Sequence, residues 1–107
     1  MEENPTVIEE HLLTLNAAGM LVNLHDRHIN PAYEQHLQEV INGGGSQEEQ
    51  RIYQRVKEIE VTMQNHVSKC RRWGHAQIIE EERWFAAQGL PVAQWLDKET
   101  HLFRRPQ

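Results

Sequence analysis

Hydrophobic positions in the middle of the chain repeat with a helical spacing. Alternating steps of four and three residues join seven apolar or weakly polar positions, which we call the seam: Ile52, Val56, Ile59, Met63, His66, Cys70 and Trp73. This spacing is typical of a helix with one coiled-coil face. Since no proline lies between Pro31 and Pro91, the sequence predicts one long helix over about residues 47–88. Gly74, which weakens a helix locally, is the predicted position of a kink.

Two shorter helices are predicted before the long one. Asn4-Pro5 is suited to begin a helix over about residues 5–27, because asparagine caps well and proline tolerates the first helical position. Gly19 lies inside this segment, and a helix split at that glycine is the alternative. Asn30-Pro31 predicts the start of a second helix, over about residues 31–42, for the same reasons.

Glycine and serine mark the ends of the long helix. Three consecutive glycines at 43–45 predict a hinge before it. Ser46 and Glu49 have the spacing of a capping box, in which each side chain accepts a hydrogen bond from the other residue's backbone N–H. Gly89-Leu90-Pro91 predicts a tight joint and then a last helix over about residues 91–104.

The predicted fold is a single all-α domain, residues 1–107, in which about four helices form a small bundle or hairpin around the long, coiled-coil-like helix. A helix of about 42 residues is about 63 Å long, whereas a compact domain of this size has a diameter of roughly half that length. Either the helix bends near Gly74, or the seam pairs with another chain. The sequence favours pairing, because an uncovered apolar stripe is unfavourable in water. The seven seam residues are therefore the predicted partner or oligomer interface, and a kinked monomeric bundle is the alternative.

Composition and charge weaken some functional classes. The chain has a formal net charge of -5, whereas a general nucleic-acid binder is usually basic. Its single cysteine, Cys70, cannot form an internal disulfide, which suits a reducing cytoplasm. No apolar stretch approaches the ~18 residues of a membrane span, and the acidic start of the chain lacks the features of a signal peptide. We therefore expect a cytoplasmic protein without membrane contacts.

A basic and aromatic patch at residues 69–75 is the best candidate for nucleic-acid contact. Lys69, Arg71 and Arg72 could bind a phosphate backbone, and a neighbouring tryptophan could stack on a base. The alternative is a solvated helix face of mixed charge, because three glutamates follow at 80–82. Nucleic acid is therefore the second candidate partner, after protein.

His66, Cys70 and His75 are weak candidates for metal ligands or for thiol chemistry. His66 and Cys70 are four residues apart, so they share a helical face. A structural zinc site needs four convergent ligands, and the chain has neither a Cys-x-x-Cys nor a His-Glu-x-x-His motif. A reactive cysteine also needs an accessible setting that stabilises the thiolate. We therefore expect packing at these positions, with no metal site, catalytic residue or cofactor.

These patterns favour a non-enzymatic function. The predicted protein is a helical module for protein–protein interaction, such as an adaptor, regulator or inhibitor, and it is predicted to self-associate. A nucleic-acid-associated regulator that uses residues 69–75 is the alternative, and a small metal-binding protein or enzyme is the third reading. The sequence does not name the partner.

Overall fold

A computed structural model describes residues 5–26 and 30–106 of the chain. Four α-helices account for most of them: α1 (Pro5–Asp26), α2 (Pro31–Ile41), α3 (Gln47–Thr62) and α4 (Val67–Ala87). A 3-10 turn (Val92–Trp95) follows, and within the described ranges the only β-type pairing is an isolated antiparallel bridge between Leu96 and Phe103. The predicted all-α bundle is confirmed. The predicted cap at Asn4 and the predicted end of the first helix at residue 27 lie outside the described residues.

The bundle is built around α1 and not around residues 47–88. The buried side chains in the middle of α1 are Leu12, Leu13, Leu15, Asn16, Ala17, Ala18, Met20, Leu21 and Val22. They point to nearly all sides of the helix, as in a helix surrounded by other elements. α1 packs against both α3 and α4, and α2 packs against α3. α1 continues through Gly19, as predicted, so the alternative of a helix split at that glycine is wrong.

The prediction of one long helix is wrong, because the chain turns at residues 63–66. α3 and α4 are separate helices of 16 and 21 residues. Between them Gln64 and Asn65 adopt left-handed backbone angles, with φ of 55° and 58°. The Asn65 N–H donates to the Glu60 carbonyl oxygen at 2.8 Å, which satisfies an unpaired carbonyl at the end of α3. A single helix of about 63 Å would be too long for a compact domain of this size. The turn removes this difficulty, because α3 and α4 can both pack along the 22-residue α1.

Gly74 is a point of close helix contact and not a kink, which corrects the second prediction about this segment. α4 runs without interruption through it. A β-carbon added at Gly74 would lie 2.6 Å from Val22 Cγ2 and 3.2 Å from the Ala18 carbonyl oxygen. The absence of a side chain therefore allows α4 to approach the backbone of α1.

The predicted signals at the start of α3 are confirmed. Ser46 Oγ accepts from the Glu49 N–H at 3.1 Å, and Glu49 Oε1 accepts from the Ser46 N–H at 3.0 Å, which completes the capping box. Asn30 caps α2, because its Oδ1 accepts from the Tyr33 N–H at 2.9 Å. The glycine stretch before Ser46 contains positive φ values of 97° at Gly43 and 78° at Gly45.

The predicted last helix, 91–104, is replaced by the 3-10 turn and a looped segment that folds back on α1. Asp97 explains part of this outcome, because its side chain accepts from the backbone N–H groups of Glu99 and Thr100, at 2.9 and 3.4 Å. Such local bonds compete with helix formation. The Glu99 N–H bond is also the main reason why the pKa of Asp97 lies below its ordinary value. His101 has a φ of 60°, which interrupts any helix there.

Candidate functional site

Three seam residues belong to the core of the bundle. Ile52, Val56 and Cys70 have exposed fractions of 2%, 0% and 1%, and they lie in one apolar cluster with residues of α1. Their predicted role in a partner interface is therefore corrected, because no partner can reach them while the bundle is folded. α1 therefore covers these three residues, for which the sequence alone showed no packing partner within the chain.

The other apolar seam residues reach the surface. Ile59 of α3, Met63 directly after α3 and Trp73 of α4 are half-buried, and they pack against the edge of the core. Together with Arg55, Glu58 and Thr62 they line a groove of about 350 Å³, which we call the α3–α4 groove. The seventh seam residue, His66, is exposed at the N-terminus of α4, where its side chain makes no capping bond.

Charge differs between the two sides of this groove. On α3, Arg55 lies 3.5 Å from a carboxylate oxygen of Glu58 and 3.9 Å from one of Glu10, so its charge is compensated. On α4, residues 66–79 contain no aspartate or glutamate. Lys69 and Arg72 are exposed there, and no ion pair of either is found within the described residues. Lys69 and Arg72 lie outside the groove lining but within one helical turn of Trp73, so two cations that lack an ion pair in the described part of the chain flank the groove on the α4 side.

The structure divides the predicted nucleic-acid patch. Arg71 turns toward α1, where its Nη2 lies 3.6 Å from Asp26 Oδ1. Trp73 lines the α3–α4 groove beside Met63 and does not stand free on the outer face of α4. Only Lys69 and Arg72 of the predicted basic contacts remain uncompensated.

Comparison of the chain with protein-family models, curated proteins and solved structures finds no match. None of the helices in the described ranges is both long and apolar enough to cross a membrane.

The three weak metal candidates do not form a site. Cys70 is buried, and this burial, together with the nearby Glu60 carboxylate, raises the pKa of its thiol. His66 and His75 are exposed. Among the described residues no group of three or more histidine, cysteine, aspartate or glutamate side chains could hold a metal ion. A buried thiol with a raised pKa is also poorly suited to act as a nucleophile.

A second and larger cleft is lined by charged residues of both signs. It measures about 680 Å³ and lies between α1, the start of α3 and the C-terminal segment. Arg51, Arg104 and Arg105 line it, but so do Glu9 and Glu48. Arg104 donates from Nε to Glu48 Oε1 at 2.8 Å, so part of this charge is already paired. The α3–α4 groove, with its apolar lining and one basic side, is therefore the stronger candidate surface.

Sequence reasoning missed a set of histidine–glutamate pairs between helices. His11 Nδ1 lies 2.6 Å from Glu81 Oε2, which joins α1 to α4. The other two pairs are His25–Glu60 at 3.1 Å, between α1 and α3, and His36–Glu49 at 2.5 Å, between α2 and α3. No spacing rule links residues this far apart in the chain, so only the tertiary structure shows them. They hold the helices together and lie outside the α3–α4 groove.

Glu49 gives the bundle a predictable response to acid. Burial opposes its ionisation, but the Ser46 N–H and the His36 ring outweigh burial, and the pKa of Glu49 is lowered. A carboxylate with a lowered pKa stabilises the folded state above the ordinary glutamate pKa, and this stabilisation is lost as the pH falls through the folded-state value. We therefore expect Glu49→Gln to lower the free energy of unfolding by roughly 1–2 kcal/mol at pH 7, with the difference shrinking as the pH falls below about 4.3.

Urea unfolding at several pH values measures this difference. Glu48→Gln is the matched control, because Glu48 is an exposed neighbour whose contact with Arg104 lies at the surface. A surface ion pair contributes little, so the control should stay close to the wild type. An equal cost for Glu49→Gln at pH 7 and at pH 3 would contradict the assignment.

Proposed function

We propose that the protein is a non-enzymatic helical module that binds another protein through the α3–α4 groove. The observation that supports it is the groove itself, in which Ile59, Met63 and Trp73 are left half-covered by their own chain. Large apolar side chains in a concave surface with a charged rim are typical of binding sites for proteins, and tryptophan is a preferred anchor. In contrast, the most exposed large apolar residues are distributed over α1, α3, α4 and the C-terminal segment: Val7, Val61, Val67, Ile79 and Leu96.

Self-association stays a prediction, with less support than the sequence suggested. That prediction rested on an apolar seam with no packing partner in its own chain, whereas α1 covers Ile52, Val56 and Cys70 of the seam. A two-fold dimer uses the same surface twice, so pairing through the α3–α4 groove would bring Lys69 and Arg72 of both chains close together. Like charges at an interface oppose association. We therefore favour a different protein as the partner.

Two neighbouring residues provide a direct test of the groove. Thr62 is exposed and lines it, whereas Val61 is exposed by 71% and is not part of its lining. Thr62→Trp should fill the groove without entering the core, and Val61→Trp adds the same side chain next to it. In capture experiments from the native host, we expect Thr62→Trp to lose a protein that wild type and Val61→Trp retain.

The same experiment can contradict the proposal. If Thr62→Trp and Val61→Trp retain the same proteins as the wild type, while both variants melt cooperatively, the groove is not the binding surface. Light scattering at two concentrations separates self-association from binding of another protein, because only the former changes the mass of the purified chain.

A further inference from the structure

We propose that the partner of the α3–α4 groove is an acidic amphipathic helix. This inference rests on the proposed function and adds the chemistry of the partner. It combines the shape of the groove with the charge of its α4 side.

The shape of the groove suits the apolar face of a helix. Ile59 in the last turn of α3 and Met63 at its C-cap are four residues apart, so their side chains form a short row at the end of the helix. Trp73 faces this row from α4. A groove between two helices that presents such a row accepts side chains spaced three and four residues apart, which is the pattern of a helix-in-groove complex. Methionine adds an adaptable surface for the incoming side chains.

The charge of the groove selects an acidic partner. Lys69 precedes Trp73 by one helical turn, and Arg72 lies three residues after Lys69 on the exposed face of α4. Neither cation is compensated within the described residues, whereas Arg55 across the groove is paired with Glu58 and Glu10. Carboxylates on the flank of a bound helix would therefore meet two available cations. Complementary charge of this kind fixes orientation and speeds association.

A second copy of the chain does not supply such a helix. The apolar residues of its four helices are largely used in its own two core clusters. Among the described residues, the exposed carboxylates of Glu80 and Glu82 lie beside a single exposed large apolar side chain, Ile79, and not beside an apolar row.

A polyanion such as nucleic acid fits the same cations less well. Arg71 is already paired with Asp26, and Glu58 lies on the rim of the groove. Phosphate binding gains its strength from many simultaneous cation contacts, and here two remain. The apolar lining would also stay unused unless a base entered the groove. A helical protein segment uses both features.

A synthetic peptide pair tests the charge and shape together. The first probe is a fluorescein-labelled helix of about 18 residues, with leucines three and four residues apart and glutamates on its other faces. The second probe has the same leucines and lysines in place of the glutamates. A single-stranded oligodeoxythymidine of similar length is the third. Binding of each to the full chain is followed by fluorescence anisotropy at two salt concentrations.

We expect the glutamate peptide to bind and the lysine peptide to bind at least about tenfold more weakly. The double variant Lys69→Glu/Arg72→Glu should weaken the glutamate peptide by about tenfold or more. Arg83→Glu/Lys98→Glu is the matched control, because it changes the net charge equally at exposed positions that lie more than two helical turns of sequence from Trp73. Thr62→Trp should also abolish binding, since the peptide needs the groove as well as the cations.

Three results would overturn the inference. Equal or tighter binding of the lysine peptide would contradict an acidic partner. Tighter binding of the oligonucleotide, lost in Lys69→Glu/Arg72→Glu, would assign the surface to nucleic acid. Absence of glutamate-peptide binding would reject the partner class, while loss of a captured host protein in Thr62→Trp would still support the proposed function.

Discussion

Replacing Asn16 with alanine is expected to lower the free energy of unfolding by about 2–4 kcal/mol. Asn16 is 6% exposed in the middle of α1. Its amide group donates to the Phe103 carbonyl oxygen at 3.0 Å, and its carbonyl group accepts from the Phe103 N–H at 2.8 Å. Alanine would leave both backbone groups of Phe103 without these partners in a partly buried position, and an unpaired buried polar group is costly. Urea unfolding measures the loss.

A matched asparagine on the same helix controls for this change. Asn23 makes one long contact of 3.5 Å, from its Nδ2 to the Tyr33 hydroxyl, so Asn23→Ala should cost much less. Limited trypsin digestion provides a second readout, because trypsin can cleave the Arg104–Arg105 bond, which directly follows Phe103. Cleavage there should be faster in Asn16→Ala. If both asparagine variants have the same stability and cleavage rate, the two hydrogen bonds between Asn16 and Phe103 do not hold the C-terminal segment on α1.

Gly74→Ala is expected to lower the free energy of unfolding by about 1–3 kcal/mol. The added β-carbon would lie 2.6 Å from Val22 Cγ2 and 3.2 Å from the Ala18 carbonyl oxygen. α1 and α4 must therefore move apart, which reduces packing along their contact. The loss outweighs the gain of up to about 1 kcal/mol that alanine normally brings to a helix interior. Thermal and urea unfolding both report the change.

Gly19→Ala is the opposite case on α1. Apart from the chain neighbours and the surrounding backbone of α1 itself, no atom lies within 4 Å of the β-carbon that would be added at Gly19. The substitution should therefore show the helix-propensity gain alone, a rise of about 0.5–1 kcal/mol in the free energy of unfolding. If Gly74→Ala raised the free energy of unfolding as Gly19→Ala is expected to do, the close approach of α4 to α1 at Gly74 would be refuted.

Local signals in the sequence predicted the starts of α2 and α3, but not the break between α3 and α4. The capping box at Ser46 and the cap at Asn30 depend on side chains that bond within three residues, so the sequence alone identifies them. The turn at Gln64 and Asn65 contains neither glycine nor proline. Its left-handed backbone is favoured by packing of α3 and α4 on α1, and no local rule reveals that packing. The same limit applies to the C-terminal segment, which Asn16 binds from 87 residues away.

The candidate surface could be predicted only in part. The four-three spacing correctly placed Ile59, Met63 and Trp73 on an apolar face, but it could not distinguish these from Ile52 and Val56. The spacing of apolar residues shows that one face of a helix is apolar, but it does not show which residues of that face α1 will bury. The positive charge beside the groove could be predicted from the sequence, because residues 66–79 contain Lys69 and Arg72 but no acidic residue. The compensation of Arg71 by Asp26 required the tertiary structure.

The central claim is that the α3–α4 groove is the binding surface, and one NMR titration tests it most directly. Of the three tryptophans in the chain, Trp73 lines the groove, whereas Trp84 and Trp95 pack against the other apolar cluster. Their indole N–H signals therefore report separately on the α3–α4 groove and on that second cluster. Addition of the glutamate peptide should shift the Trp73 indole signal and the methyl signals of Ile59 and Met63, and leave the Trp84 and Trp95 signals in place. An unchanged Trp73 signal, or shifts confined to Trp84 and Trp95, would contradict the claim.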